Sequence, residues 1–405
     1  MSAFLDAGWR RRGLTAGHHA AYNPCMAQAF DVCIRGAGIV GRTLALLLAQ
    51  QRLRVGLVQA TPQADAGNDI RAYALNAASR HILQSLRCWP QGEAVTPVMA
   101  MRVKGDDRGE VSFDTHLLGK TGKEPAEEAA LAWIVDVPAL ESCLADALRF
   151  QPQIELLEAP HAAALTAICE GRFSRTRAEY GVDFDVTPYG QHAVAARLTC
   201  EQAHQGRAWQ WFSNGEILAF LPLGGEKGNS VALVWSVSDQ RALELCGLSP
   251  GAFAAEVQAS GASVLGPMTL ASERSRWPLQ HSQARQWSGR DASGQAWVLA
   301  GDAAHAVHPL AGQGLNLGLA DAAELAKVLG ERDYWRSVGD SRLLRRYERA
   351  RRAALAPVGA VMDGLQRLFA QPDAQVQTLR NMGMRGFERS GPLKAWVARQ
   401  AMGLK

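Results

Sequence analysis

The hydrophobic pattern changes period several times along the chain, and each change predicts an element. Residues 30–34 form a short apolar run, 43–51 carry apolar positions at helical spacing, and 54–58 form a second apolar run. Together these predict a βαβ start. Residues 72–86, AYALNAASRHILQSL, again have helical spacing, whereas 91–130 mix Gly, Pro, Asp and Glu and read as a loop-rich excursion. The run LAWIVDV at 131–137 returns to strand. Pro138 then sits where a first helical turn tolerates it, and Leu140, Leu144 and Leu148 line one face of the helix that follows.

A further apolar strand, AALTAICEG, occupies 163–171. From 189 to 237 the pattern is β-rich: HAVAARL, EILAFLPL and SVALVWSV are separated by turn residues, as in an antiparallel sheet. QAWVLAGD at 295–302 is a last buried strand, followed by a glycine-rich loop and a helix over 315–329. From Tyr334 onward the sequence is mostly helical and arginine-rich. The order predicts an α/β fold: a Rossmann-like nucleotide-binding unit over 27–93, 129–182 and 274–332, interrupted by a β substrate domain over 94–128 and 183–273. Residues 333–405 form a C-terminal helical region, and 1–26 read as a leader, either a disordered tail or a start-site artefact.

Composition narrows the class. The 405 residues are 47% hydrophobic and 20% charged, as in ordinary globular proteins. A net charge of +4, with no aromatic-studded basic patch, gives no reason to expect nucleic acid. The cysteines at 25, 33, 88, 143, 169, 200 and 246 are odd in number and contain no C-x-x-C pair, so they read as reduced thiols of a cytoplasmic protein. No apolar run approaches the roughly 18 residues of a membrane span.

Two motifs carry candidate chemistry. Gly36-Ala37-Gly38-Ile39-Val40-Gly41 is G-x-G-x-x-G between a strand and a helix. Gly36 permits a tight turn, Gly38 lets a pyrophosphate approach the backbone, and Gly41 lets helix and strand pack closely. The second strand ends on Gln59, where such units usually carry an acidic residue; its amide still offers a ribose hydrogen bond, without charge assistance. Later, AGDAAHAVHPLAGQGLNLGLADA (300–322) delivers Asp302 at the carboxyl end of a buried strand and runs through a glycine-rich loop into a helix start. That start suits an anionic ring or a phosphate. His305 and His308 lack a third ligand, so no metal is expected.

The two motifs together resemble the group A FAD-dependent aromatic hydroxylases, and the wording GDAAHAVHPLAGQGLNLGLAD, with RAYALNAAS early and YGQHAVAARL midway, is similar to the UbiH/UbiF/VisC branch of ubiquinone biosynthesis. The resemblance covers most of the chain from Met26. It implies that Gly36, Gly38 and Gly41 hold the FAD pyrophosphate, with Gln59 on the adenosine side, that Arg71 contacts the cofactor, and that Asp302 binds the ribityl chain. Pro309, Gly312 and Gln313 would form the loop over the flavin ring, with Gly314, Leu315 and Asn316 beside it. A third family motif, D-G, appears as Glu170-Gly171, and the segment from Phe150 to Cys169 is short for the family.

The implied activity is ring hydroxylation of a polyprenylated phenol, using NAD(P)H and O2 through a C4a-hydroperoxyflavin, with no acid or base residue assignable. Phe220, Pro222 and Trp235 either roof the substrate pocket or serve as sheet core. The basic C-terminal stretch LKAWVARQAMGLK either meets a membrane surface or packs on its own domain, and the arginine run 342–355 reads as a solvated helix face. Two other readings stay open: a hydroxylase of a soluble aromatic compound, and a turnover-deficient scaffold or lipid-binding subunit.

Overall fold

The structure is a computed structural model and describes residues 30–59, 69–105, 109–115, 130–306, 313–370 and 383–401. The expected leader lies outside these residues. Parallel strands buried on both faces need near-continuous apolar runs, and the chain supplies them in Phe30–Arg35, Val55–Val58, Ala163–Ile168 and Ala296–Leu299. They form the centre of a six-stranded sheet, flanked by Ile154–Leu157 at one edge and the antiparallel Ser288–Arg290 at the other. The short segment between Phe150 and Cys169 thus yields two strands, Ile154–Leu157 and Ala163–Ile168. Helices Ile39–Gln50, Val137–Arg149 and Gln313–Gly330 complete the unit. As the spacing predicts, Leu140, Leu144 and Leu148 are buried.

A second, nine-stranded sheet is mostly antiparallel and built on the long strand Phe184–Cys200. Its neighbours are Ser230–Ser238 on one side and Ser275–Ala284 on the other. Ser275–Ala284 therefore belongs to this sheet, although the sequence groups it with the nucleotide-binding unit. Residues on each strand alternate between two faces. One face, with Phe220, Leu233 and Trp235, packs against Phe253 and Val257 of the helix Pro250–Ser260. The other presents Ala195, Ala219, Ala232 and Val234 to a cavity. Phe220 and Trp235 are thus core residues: the two-residue period turns both away from the cavity. Pro222 is buried and lies outside the cavity lining.

Two expectations need correcting. Residues 72–75 are a strand, because Ala72–Leu75 pairs antiparallel with Trp133–Asp136 in a small third sheet. The helix begins only at Ala77, where the Asn76 Oδ1 accepts the Ser79 N–H at 2.9 Å as an N-cap. The excursion 91–130 contains the strands Val95–Val98 and Ala100–Lys104, which pair with neighbours remote in sequence, and Glu110–Asp114, which folds back onto Ala100–Lys104. The C-terminal region provides the helices Ser341–Ala370 and Pro392–Ala401. No helix among the described residues is long and apolar enough to cross a membrane.

Candidate active site

A cavity of about 770 Å³ lies between the six-stranded unit and the nine-stranded sheet. Its volume is that of a site for a large small molecule. Gly38, Arg71, Tyr73, Asp302, Gly314 and Leu315 line one end; Met101, Phe113, Ile217, Leu221, Val397 and Ala398 line the other.

The first glycine motif is explained residue by residue. Gly36 has φ +108°, and a Cβ there would stand 2.5 Å from the Cys169 carbonyl oxygen. Only glycine meets both demands. A Cβ on Gly41 would fall 1.9 Å from the Gly36 oxygen, so glycine is what lets the helix Ile39–Gln50 pack against the strand before it. At Gly38 a Cβ meets nothing within 4 Å. No neighbouring atom demands glycine there; the residue caps a helix that has no side-chain cap and faces the cavity. The free N–H groups of that first turn are a ready anion site.

Asp302 stands in the short turn Gly301–Ala303 after the strand Ala296–Leu299. Burial raises its carboxyl above the ordinary range, against the pull of Arg172 and His305. Its oxygens accept no hydrogen bond from a described residue, and the side chain lines the cavity. A desolvated carboxylate in this position calls for hydroxyl donors, which a ribityl chain supplies. Open space at Gly38, an uncapped helix start and an unmatched carboxylate together fit a dinucleotide such as FAD.

The turn is held from behind. Asp321, fully buried on the helix Gln313–Gly330, accepts the Gly301 N–H at 2.9 Å, the His305 Nε2–H at 2.7 Å and the Arg351 Nε–H at 2.6 Å. The His305 ring stacks on Trp287 with centroids 4.9 Å apart. Arg351 corrects the expectation of a uniformly solvated arginine face: Arg342, Arg345, Arg346 and Arg349 are exposed, whereas Arg351 is buried on Asp321.

Asn316 joins the two ends of the sequence motif. Its Oδ1 accepts the Ser79 hydroxyl at 2.7 Å and the Asn76 N–H at 2.9 Å, and its Nδ2 donates to the Ala74 carbonyl at 2.8 Å. The amide is engaged as a strut through both its oxygen and its nitrogen and does not line the cavity, whereas Gly314 and Leu315 do. Gln313 opens the helix; Pro309, Gly312 and His308 lie outside the described residues. Arg71 lines the cavity and is held by Asp69 and by its bond to the Tyr73 hydroxyl at 3.3 Å.

Glu170 is placed differently from the other candidates. Its carboxylate accepts the Ser174 hydroxyl at 2.7 Å, the Thr176 hydroxyl at 2.6 Å and the Thr176 N–H at 3.1 Å, and it pairs with Arg35 at 3.2 Å. Burial works to raise this carboxyl, but those bonds outweigh it and hold it below the ordinary range. It fastens the loop whose Gly171, Arg172 and Phe173 line the cavity, without lining it itself. Arg177 extends the same brace, donating to the Ala303 carbonyl at 3.0 Å and to the Arg172 carbonyl at 2.8 Å. Gln59 is exposed at the end of its strand, its N–H donated to Leu157 at 3.0 Å. Sequence reasoning passed over Asp321 and Arg351, whose signal was only a buried-charge partnership across 30 residues.

Comparison with known proteins agrees with this geometry. The FAD binding domain family matches residues 124–359, more than half of the chain. The ubiquinone hydroxylase UbiL of Rhodospirillum rubrum is 30% identical over 97% of this chain and 95% of its own. The 3-demethoxyubiquinol 3-hydroxylase of Escherichia coli K12 is 30% identical over 93% of this chain and 99% of its own. Among solved structures, Pseudomonas aeruginosa PqsL in complex with 2-aminobenzoylacetate superposes with a TM-score of 0.68 at 20% identity, covering 86% of this chain and 98% of that one. A Klebsiella pneumoniae HpxO variant complexed with FAD gives 0.65 at 15% identity, covering 92% and 98%. These structures share the fold. The family match and the end-to-end similarity to relatives at 30% identity show that this chain belongs to the FAD-binding domain family of flavin-dependent aromatic monooxygenases.

Proposed function

We propose that this chain hydroxylates the aromatic ring of a polyprenylated phenol on the way to ubiquinone, with NAD(P)H as reductant and O2 as oxygen source. The observation that carries this reading is one continuous cavity, polar at the Gly38–Asp302 end and mainly apolar at the Met101–Ala398 end. Such a cavity suits a cofactor at one end and an apolar substrate beyond it. Two relatives that cover more than nine-tenths of its length are named ubiquinone hydroxylase and 3-demethoxyubiquinol 3-hydroxylase.

Bound FAD supplies the redox chemistry, accepting hydride and activating oxygen. The protein's part is position and electrostatics. The helix start at Gly38 would hold the pyrophosphate, Asp302 would accept the ribityl hydroxyls, and Arg71 would contact the cofactor. The helix beginning at Gln313 presents its positive end to the cavity at Gly314 and Leu315, where it would stabilise negative charge on a bound flavin. The apolar face of Ala195, Ala219, Ala232 and Val234 excludes water from the substrate side. Asp302, Tyr73, Arg71, Arg172, Glu141 and Cys169, the titratable side chains in the described lining, all come from elements outside the nine-stranded sheet. In this reading the phenol supplies its own electron density, so the mechanism asks no acid or base of that sheet.

The C-terminal helix Pro392–Ala401 exposes Leu393 and Trp396 beside Arg389 and Arg399, which suits peripheral contact with an anionic membrane surface. The test is direct. Purified protein should show the visible bands of oxidised flavin, consume NAD(P)H faster when a prenylated phenol is added, and yield a product heavier by one oxygen. Flavin-loaded protein that never adds oxygen to any phenol would move the scaffold reading to the front.

A further inference from the structure

The hydrocarbon end of the cavity is closed by a wall that is not part of either sheet. Val397 and Ala398, on the helix Pro392–Ala401, face the cavity opposite Phe113 of the edge strand Glu110–Asp114. The wall is fastened to that strand by a small set of contacts. Glu388 accepts the Ser112 backbone N–H at 3.0 Å, satisfying an edge-strand donor with a side chain. Lys394, buried, donates to both Glu388 oxygens at 2.8 Å, and its ammonium stands 5.6 Å from the Phe113 ring centroid. Phe387 meets the same ring at 6.3 Å, and Met384 packs on Phe212 and Ile217.

We infer that this wall, residues 388–398 against the strand Glu110–Asp114, is the port through which the substrate's apolar tail enters and where it lies during turnover. The inference rests on the proposed prenylated substrate and adds where its tail goes. Three features point the same way. The residues that would hold the cofactor line the opposite end, so a ring at the flavin would extend its tail toward Val397. That end is lined mainly by apolar side chains, Met101, Phe113, Ile217, Leu221, Val397 and Ala398, with Gln210 and Ser236 the polar exceptions beside Ile217 and Ala219. Lastly, the wall is attached through side chains, one backbone donor and a cation–π contact, whereas the strands around it are joined by full ladders. Among the described residues it is therefore a boundary that parts at less cost than those ladders. Its other surface exposes Leu393 and Trp396, so a tail leaving an apolar phase meets hydrocarbon on both sides of the helix.

The test compares two substrates in one enzyme: a phenol bearing three isoprene units and the same phenol with a methyl group in their place. In Ala398→Trp the indole fills the port, and kcat/KM for the tailed phenol should fall by about tenfold or more relative to the tailless one. In Glu388→Ala the wall loses its fastening to Ser112 and Lys394, and the same ratio should shift through KM with kcat retained. A ratio within about twofold of the parent in both variants overturns the inference. As a measurement independent of turnover, a tailed phenol carrying a diazirine at its far end should label the 384–398 peptide of the FAD-loaded protein; labelling confined to other peptides overturns it. If the parent enzyme hydroxylates neither phenol, the proposed substrate class fails instead, and the label alone reports on the port.

Discussion

The Asp321 carboxylate accepts the Gly301 N–H at 2.9 Å and so fixes, from outside the cavity, the turn that presents Asp302 to its interior. One buried charge thereby holds another side chain in a position that costs free energy until a ligand satisfies it. Removing the charge strands Arg351 in the interior. Asp321→Asn should lower unfolding stability by about 3 kcal/mol, the usual scale for breaking a buried pair. Urea titration of the FAD-free protein measures this as a lower midpoint at unchanged slope.

The same residue sets a pH dependence. Burial alone raises the Asp321 carboxyl, but the charge and hydrogen bond of His305, with those of Arg351, outweigh it and hold the carboxyl below its ordinary value of 3.8. A depressed folded-state pKa contributes stability that is complete above the ordinary value and is lost as pH falls through the depressed one. The stability gap between parent and Asp321→Asn should therefore be full at neutral pH and narrow only in strong acid. A gap that closes between pH 7 and 5 would contradict the assignment.

Asp302 has the opposite sign. Burial raises its carboxyl, so without cofactor the ionised form is penalised, and its contribution falls as pH rises past the ordinary carboxyl value toward the raised one. Asp302→Asn should leave the FAD-free protein at least as stable as the parent at pH 7. The same change should weaken FAD binding by about tenfold to a hundredfold, through lost charge-assisted hydrogen bonds. Melting curves with and without FAD separate the two effects.

The glycines divide in the same way. Gly41→Ala drives a Cβ to 1.9 Å from the Gly36 carbonyl oxygen, and backbone cannot yield that distance cheaply. It should cost about 3 kcal/mol or more whether or not FAD is present. Gly38→Ala meets no protein atom within 4 Å and changes an N-cap, so the FAD-free protein should lose only about 1 kcal/mol. The expected loss is in flavin retention, read from visible absorbance after gel filtration.

Much of this site is legible in the sequence because glycine roles and strand-to-helix turns are local. Gly36, Gly38, Gly41 and Asp302 are named by their immediate neighbours along the chain, and the structure brings all but Gly36 and Gly41 to the cavity wall. What is not legible depends on register or on partners far along the chain. Phe220 and Trp235 invite a pocket role by size, yet a two-residue period decides which face they take, and that face is the core. Ala72–Leu75 has helical spacing and becomes a strand because Trp133–Asp136 lies beside it. Glu170 looks like an altered cofactor ligand until Ser174, Thr176 and Arg35 are seen to consume its carboxylate. Arg351 is one arginine among several until Asp321 is placed against it.

Gln59 stands where such a strand end usually carries an acidic residue. It ends the strand Val55–Val58 with an exposed side chain, and its backbone N–H is already used by Leu157, so the strand's geometry is independent of what the side chain is. Restoring a carboxylate there adds an acceptor without disturbing a packed neighbour. Charge-assisted hydrogen bonds are roughly twice as strong as neutral ones. Gln59→Glu should therefore tighten FAD binding by about threefold to tenfold, with the FAD-free protein melting as the parent does. Flavin fluorescence titration measures the gain. Unchanged affinity would mean that the adenosine ribose lies out of reach of this strand end, and that the flavin half of the cavity, from Asp302 to Leu315, carries the binding by itself.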